Sequence, residues 1–179
     1  MLRLFSAIQI PQRTTEELIS LQNGLPKAQW INPKNFHVTL SFFGEVEDSI
    51  ADELIHAFNT IKCPPFALHP VNFKILGSAT APHSLVVRIE PCEILSSLHE
   101  KIQRIRSYLG LTPDETLFTP HITLARLLDV KPEDLSLYLS SRSSLSLAPF
   151  EVDRFVLLLS ENPSSDALYV VKGSWPLQA

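Results

Sequence analysis

The chain has 179 residues, 45% of them hydrophobic and 19% charged, which provides for a sizeable core and excludes a disordered polypeptide. A formal net charge of −4 argues against a protein that grips long nucleic acid through many phosphates, because such proteins are basic. Cys63 and Cys92 lie in no Cys-x-x-Cys pair and at no metal spacing, so they read as reduced structural residues; no apolar run has signal-peptide or bilayer-spanning length, so a soluble cytoplasmic chain is expected.

Residues 2–10 are apolar and end at Pro11, the pattern of a buried strand. Thr14 and Glu17 have the spacing of a capping box and predict a short helix stopped by Gly24. A brief strand is expected over 28–31 around Trp30, and a longer one over 36–43 ending at Gly44. Asp48 is placed to cap a helix reaching about Ile61, after which Pro64 and Pro65 break the pattern. Residues 66–76 and 84–90 read as two strands joined by a polar turn. Ile94, Leu95, Leu98, Ile102, Ile105 and Leu109 recur at helical spacing, and Gly110 closes that helix. A strand is expected over 121–128, and Pro132 sits in the first turn of a helix over 132–140. The serines at 140–146 read as a surface loop. Strands over 150–159 and 167–175 flank a loop holding Asn162, Pro163, Ser164 and Ser165. The hairpin-like pairs favour an antiparallel α+β fold over a parallel sheet.

One segment is echoed. Phe36-His37-Val38-Thr39-Leu40 recurs as Pro120-His121-Ile122-Thr123-Leu124. Side chains alternate along a strand, so His and Thr two apart share a face while Val38, Leu40, Ile122 and Leu124 anchor the other. If the two strands face one another, two imidazoles and two hydroxyls converge. Hydrolysis of a cyclic phosphodiester needs a base for water and an acid for the leaving oxygen, and His does either near neutral pH. Thr39 and Thr123 are placed to donate hydrogen bonds to the non-bridging oxygens as charge builds there.

Rival chemistries lack their residues. Thr is a poor metal ligand, and no His-x-His, His-Glu-x-x-His or Asp-rich cluster accompanies the histidines, so no metal or other cofactor is expected. There is no Gly-x-Ser-x-Gly elbow and no glycine-rich phosphate loop. His56, His69, His83 and His99 have no matching context and are assigned to the surface.

These paired motifs resemble the two-histidine (2H) phosphoesterase superfamily, and within it the RNA 2′,3′-cyclic phosphodiesterases first described as 2′-5′ RNA ligases. The likeness spans nearly the whole chain: Arg3-Leu4-Phe5-Ser6-Ala7-Ile8 resembles the first strand, and Trp30 with Asn35-Phe36-His37-Val38-Thr39-Leu40 and Phe42-Phe43-Gly44 resembles the first motif region. Phe118-Thr119-Pro120-His121-Ile122-Thr123-Leu124-Ala125-Arg126 resembles the second motif, and Ser160, Tyr169 and Trp175-Pro176-Leu177 the last strands. The resemblance implies one 2H phosphoesterase domain over 1–179, built as two lobes. The implied α+β fold is bilobal and pseudo-twofold, with two antiparallel sheets and flanking helices around a central cleft. It implies hydrolysis of a terminal 2′,3′-cyclic phosphate of RNA to a 2′-phosphate, with His37 as proton donor, His121 as proton acceptor, and Thr39 and Thr123 on the phosphate. By the residues alone, either imidazole can take either role.

The chain departs from relatives that carry a basic residue just before the second Pro-His; here Thr119 stands there. Arg126 is a candidate substrate contact, although strict alternation puts it on the face opposite His121, where a salt bridge at the sheet edge is the competing role. Phe5, Trp30 and Phe42 are candidates to stack on a base, with core packing as the competing role. The implied partner is an RNA or oligonucleotide end bearing a cyclic phosphate, tRNA fragments among them, met by a monomer with no membrane association. Two other functions fit the same residues: a ligase or phosphodiesterase for 2′-5′ linkages, and a non-catalytic protein that binds RNA ends or nucleotides.

Overall fold

A computed structural model of the chain describes residues 1–114, 116–161 and 168–179, so the loop at Asn162–Ser165 lies outside the described residues. The apolar opening segment forms β1 (Leu2–Gln9), and Pro11 then turns the chain directly into α1 (Gln12–Ile19). The expected capping box does not form. Pro11 holds the last extended conformation (φ −62°, ψ 154°), so the helix begins two residues before Thr14, which is buried inside it. Nor does Gly24 stop the helix, which ends at Ile19; Gly24 lies in the turn beyond, at φ 73°.

Next come β2 (Gln29–Trp30), a 3-10 turn (Pro33–Asn35) and β3 (His37–Val46). The last strand runs through Gly44 instead of ending there. Gly44 takes φ 74°, a left-handed conformation open to glycine, which lets the strand continue past the irregularity between Phe42 and Gly44. Helix α2 (Asp48–Phe58) starts with Asp48 as its first helical residue, not as a hydrogen-bonding cap, and stops short of Ile61. The 66–76 segment is two strands, β4 (Phe66–Leu68) and β5 (Pro70–Gly77), parted at His69. Then follow β6 (Pro82–Ile89), α3 (Glu93–Tyr108), β7 (His121–Arg126) and α4 (Pro132–Ser141). The 150–159 segment divides at Asp153 into β8 (Phe150–Val152) and β9 (Arg154–Leu159), and β10 (Val170–Pro176) closes the chain.

The fold is α+β, with a large antiparallel sheet and a small second one. The large sheet has the order β10-β9-β1-β3-β7-β6-β5, with β2 added to β7; β4 and β8 pair separately. Its two halves, β10-β9-β1-β3 and β7-β6-β5, are joined at the pair Val38↔Ile122. The halves of the expected bilobal fold thus share one continuous hydrogen-bonded path. One face of the sheet carries the main core, including Leu4, Ile8, Val38, Leu40, Val87, Ile122 and Leu124, with α2, α3 and α4 contributing Leu54, Leu98, Ile102 and Tyr138. On the opposite face of the first half lies a smaller cluster of Phe5, Ala7, Val156 and Leu158, with Tyr169 packed against it. Among the described residues no helix is long and apolar enough to cross a membrane.

Val38 and Ile122 are both fully buried where the halves meet. Truncating Ile122→Ala removes packing from both strands at once and is expected to cost about 2–5 kcal/mol of stability. Equilibrium denaturant unfolding of the variant beside the wild type measures this; a loss below about 1 kcal/mol would show that the junction is not tightly packed.

Candidate active site

The geometry of the site follows from the Val38↔Ile122 pair. Directly opposed residues on antiparallel strands share a face, and their neighbours point to the other. With Val38 and Ile122 in the core, His37 and Thr39 emerge on the opposite face, as do His121 and Thr123. Carried one residue each way, the register sets His37 beside Thr123 and Thr39 beside His121. The local dyad between Val38 and Ile122 therefore relates the two motifs, and all four polar side chains are half-buried.

Each imidazole is held in the same way. His37 Nδ1 lies 2.7 Å from the Asn35 carbonyl, and His121 Nδ1 lies 2.7 Å from the Thr119 carbonyl. A carbonyl only accepts, so each Nδ1 carries the proton and each neutral ring presents Nε2 as the free base. His37 Nε2 lies 3.0 Å from Thr39 Oγ1, whose hydroxyl donates to it. The His37 ring meets Phe5 at 5.1 Å between centroids and Tyr169 edge-on at 5.5 Å. Burial is the main cause that holds the His37 pKa below its ordinary value; the Asn35 carbonyl pulls it up, and the charge of His121 pushes it down. The two imidazoles thus act on one another electrostatically.

Both strands bulge just past the motif. In the β1–β3 ladder, Ala7 opposes Thr39 and Ser6 opposes Ser41, leaving Leu40 unpaired. In the β6–β7 ladder, Val86 opposes Thr123 and Leu85 opposes Ala125, leaving Leu124 unpaired. An extra residue reverses the alternation. Arg126, three residues past Thr123, therefore returns to the face of His121, opposite Ser84. This corrects the expectation from strict alternation, and no salt bridge holds Arg126 among the described residues. Phe42, three past Thr39, returns by the same device, opposite Phe5, and stands 55% exposed. The two motifs thus present matching triplets: His37, Thr39 and Phe42 on one strand, and His121, Thr123 and Arg126 on the other.

The remaining candidates separate. Phe5 is buried on the site face beneath Phe42, with ring centroids 5.4 Å apart. Trp30 does not reach the site. It pairs opposite Ala125, packs against the main core and lies 6.3 Å from the Tyr138 ring, so its position as a substrate contact is corrected to a core role. The register explains this, because the Leu124 bulge turns Ala125 and its partner toward the core.

His56, His69 and His83 are exposed, as expected, but His99 is not a surface residue. Its Nδ1 donates to the Leu40 carbonyl at 2.8 Å, and its ring stacks on Phe118 at 3.9 Å and 3°. Gln103 and Arg106, on the same row of α3, reach Ser41 Oγ at 3.1 and 3.2 Å. The other bulge carbonyl, Leu124, accepts from Ile31 N–H at 2.8 Å and from Gln22 Nε2 at 3.2 Å. Carbonyls displaced from the ladder need such donors when buried. The polar row at 99, 103 and 106, set within an apolar helical pattern, was the available sequence signal. Tyr169, which in the sequence stands out only for its likeness to the last strands, donates its N–H to Asn35 Oδ1 at 3.2 Å, and its ring borders His37.

No group of three or more His, Cys, Asp or Glu among the described residues is arranged to hold a metal ion. A groove of about 450 Å³ between α1 and the β8–β9 segment, lined by Pro11, Arg13, Glu17 and Arg154, contains neither histidine.

The chain is similar in sequence and in fold to known proteins. An RNA 2′,3′-cyclic phosphodiesterase of Aquifex aeolicus (strain VF5) is 25% identical over 147 residues, covering 80% of this chain and 78% of the relative. An RNA 2′,3′-cyclic phosphodiesterase of Methanocaldococcus jannaschii is 24% identical over 186 residues, covering 97% of this chain and all of the relative. The crystal structure of E. coli LigT complexed with 3′-AMP superposes with a TM-score of 0.78 at 23% identity and covers 99% of both chains, a likeness of fold. The family described as LigT like Phosphoesterase matches residues 8–86 and 88–169, a span that includes both His-x-Thr motifs, and the chain belongs to that family of phosphoesterases.

Proposed function

We propose that this chain hydrolyses the terminal 2′,3′-cyclic phosphate of RNA to a 2′-phosphate, without a metal ion. The observation that carries the reading is the dyad at Val38↔Ile122, which turns two imidazoles and two threonine hydroxyls to one face with both Nδ1 atoms tied to carbonyls. Two Nε2 atoms on neighbouring strands provide for one proton to be taken and one given on either side of a single phosphorus. Relatives named RNA 2′,3′-cyclic phosphodiesterase support the substrate class.

In the proposed step His121 Nε2 takes a proton from water as the water oxygen bonds to phosphorus. The bond from phosphorus to the 3′-oxygen breaks, and His37 Nε2–H protonates that oxygen. His121 ends protonated and His37 neutral, and exchange with solvent restores both. Before reaction, His37 must bind a proton against the depression caused by its burial, and the arriving phosphate anion favours this. Once protonated, Nε2 no longer accepts from Thr39, so the hydroxyl is released to donate to a non-bridging oxygen, with Thr123 doing the same across the dyad. Arg126 supplies positive charge at the phosphate, and Phe42 offers an exposed ring to the base, a contact of the kind worth about 1–3 kcal/mol. The proposed partners are oligonucleotide or tRNA-fragment ends, met by a cytoplasmic monomer of one domain.

Incubating an oligonucleotide that ends in a 2′,3′-cyclic phosphate with the protein in EDTA should give a 2′-phosphate, and His37→Ala and His121→Ala should each lower turnover by about 10²–10⁴-fold. Binding by the wild type without turnover would make the protein a binder of RNA ends instead. Following the imidazole resonances by NMR, His37 should titrate below its ordinary 6.5 and move upward in His121→Ala, which removes the opposing charge. Because the acid must be protonated, activity governed by His37 falls as pH rises through its pKa. In kcat/KM, which reports the free protein, this descending limb should lie below pH 6.5. In kcat it should lie higher, once phosphate is bound. The roles separate with a 3′-thio cyclic substrate, whose departing sulfur needs no proton. This substrate should rescue His37→Ala and leave His121→Ala slow; the reverse pattern would exchange acid and base.

A further inference from the structure

The ladder extends the site face outward over the second half of the sheet. Thr123 opposes Val86, and Val86 opposes Lys74 on its far side; His121 opposes Arg88, and Arg126 opposes Ser84, itself opposite Leu76. Opposed residues share a face. The ladder positions of β5, β6 and β7 on this face therefore include Lys74, Arg88 and Arg126, and none of them is a carboxylate. All three cations are exposed, and none forms an ion pair among the described residues. A chain with 19 acidic and 15 basic residues thus has an uncompensated positive strip beside its two histidines. The strip is missed in sequence because Lys74 and Arg88 are isolated charges there; only the register aligns them with Thr123 and His121. By contrast, the ladder positions nearest His37 on the first half carry Gln9, Ala7, Phe5 and Phe42, none of them charged.

Neighbouring strands lie about 4.8 Å apart, so β5 stands about 10 Å from β7, a span suited to more than one phosphate. A 2′,3′-cyclic phosphate terminates the 3′ end of RNA, so every other phosphate of the substrate lies on its 5′ side. We propose that Lys74 and Arg88 form a track for these upstream backbone phosphates and make an oligonucleotide a better substrate than a cyclic mononucleotide. This inference rests on the reading of the site as one for RNA cyclic phosphate ends. Charge at these two positions governs binding of the chain beyond the terminal nucleotide, while the bond-breaking step stays with the paired histidines.

The test compares wild type with the double variant Lys74→Ala/Arg88→Ala on 2′,3′-cyclic AMP, which has a single phosphate, and on tetra-adenylate ending in a 2′,3′-cyclic phosphate. Both positions are exposed, so the variant should remain folded. The expected result is a loss of about tenfold or more in kcat/KM on the tetranucleotide, expressed in KM, with 2′,3′-cyclic AMP unchanged. Two lost contacts to a single strand, at about 0.7 each, should also flatten the slope of log affinity against log salt by about 1.4. Equal losses on both substrates, or none on either, would overturn the track. Binding of tetra-adenylate ending in a 2′-phosphate, measured by fluorescence anisotropy, separates this proposal from the proposed reaction. If the wild type turns over neither substrate, the reaction fails, yet weaker binding by the variant still supports the track and unchanged binding overturns it.

Discussion

The pairing of Val38 with Ile122 is the constraint from which the site follows. It is the junction of the two halves of the large sheet, and both side chains are fully buried. A shift of one residue in either strand would turn its imidazole and hydroxyl into the core and bring apolar side chains out. Such a slip would bury polar groups without partners, so the packing that stabilises the junction also specifies the chemistry of the opposite face. The same pair explains why Nδ1 of each ring is engaged alike. The residue two before each histidine, Asn35 or Thr119, has its carbonyl at the same place in the two related strands.

The bulges at Leu40 and Leu124 complete the arrangement. Without them Phe42 and Arg126 would face the core. With them, an aromatic ring and a guanidinium occupy matching places on the two strands. Each displaced carbonyl is stabilised from outside the ladder, by His99 for Leu40 and by Ile31 and Gln22 for Leu124. His99 also stacks on Phe118, three residues before His121, so one side chain touches the approaches to both motifs. Buried Arg106, on the same helix row, joins Ser41 to the segment before β7 through Thr112 and Asp114.

Local pattern made much of this legible. An apolar run ending at Pro11 placed β1, the alternating His-x-Thr segments placed β3 and β7 with their four polar residues on one face, and helical spacing placed α3. Features that depend on pairing between distant segments were not legible. Nothing in residues 121–126 alone announces a bulge at Leu124, so alternation misplaced Arg126, and Trp30 could not be assigned to a face until its partner Ala125 was known. Helix starts were also misjudged where Pro11 set the boundary in place of a side-chain cap. His99 was read as a surface residue because its role is to satisfy a carbonyl 59 positions away.

Placing both histidines on adjacent strands has a consequence for how such a site can vary. Their separation is set by main-chain hydrogen bonding, a length that side-chain substitution cannot adjust. In the proposed reaction the pair would serve as a gauge whose width the strand spacing fixes. A change of substrate would then fall on the neighbouring strands, where residues can be exchanged without altering that width.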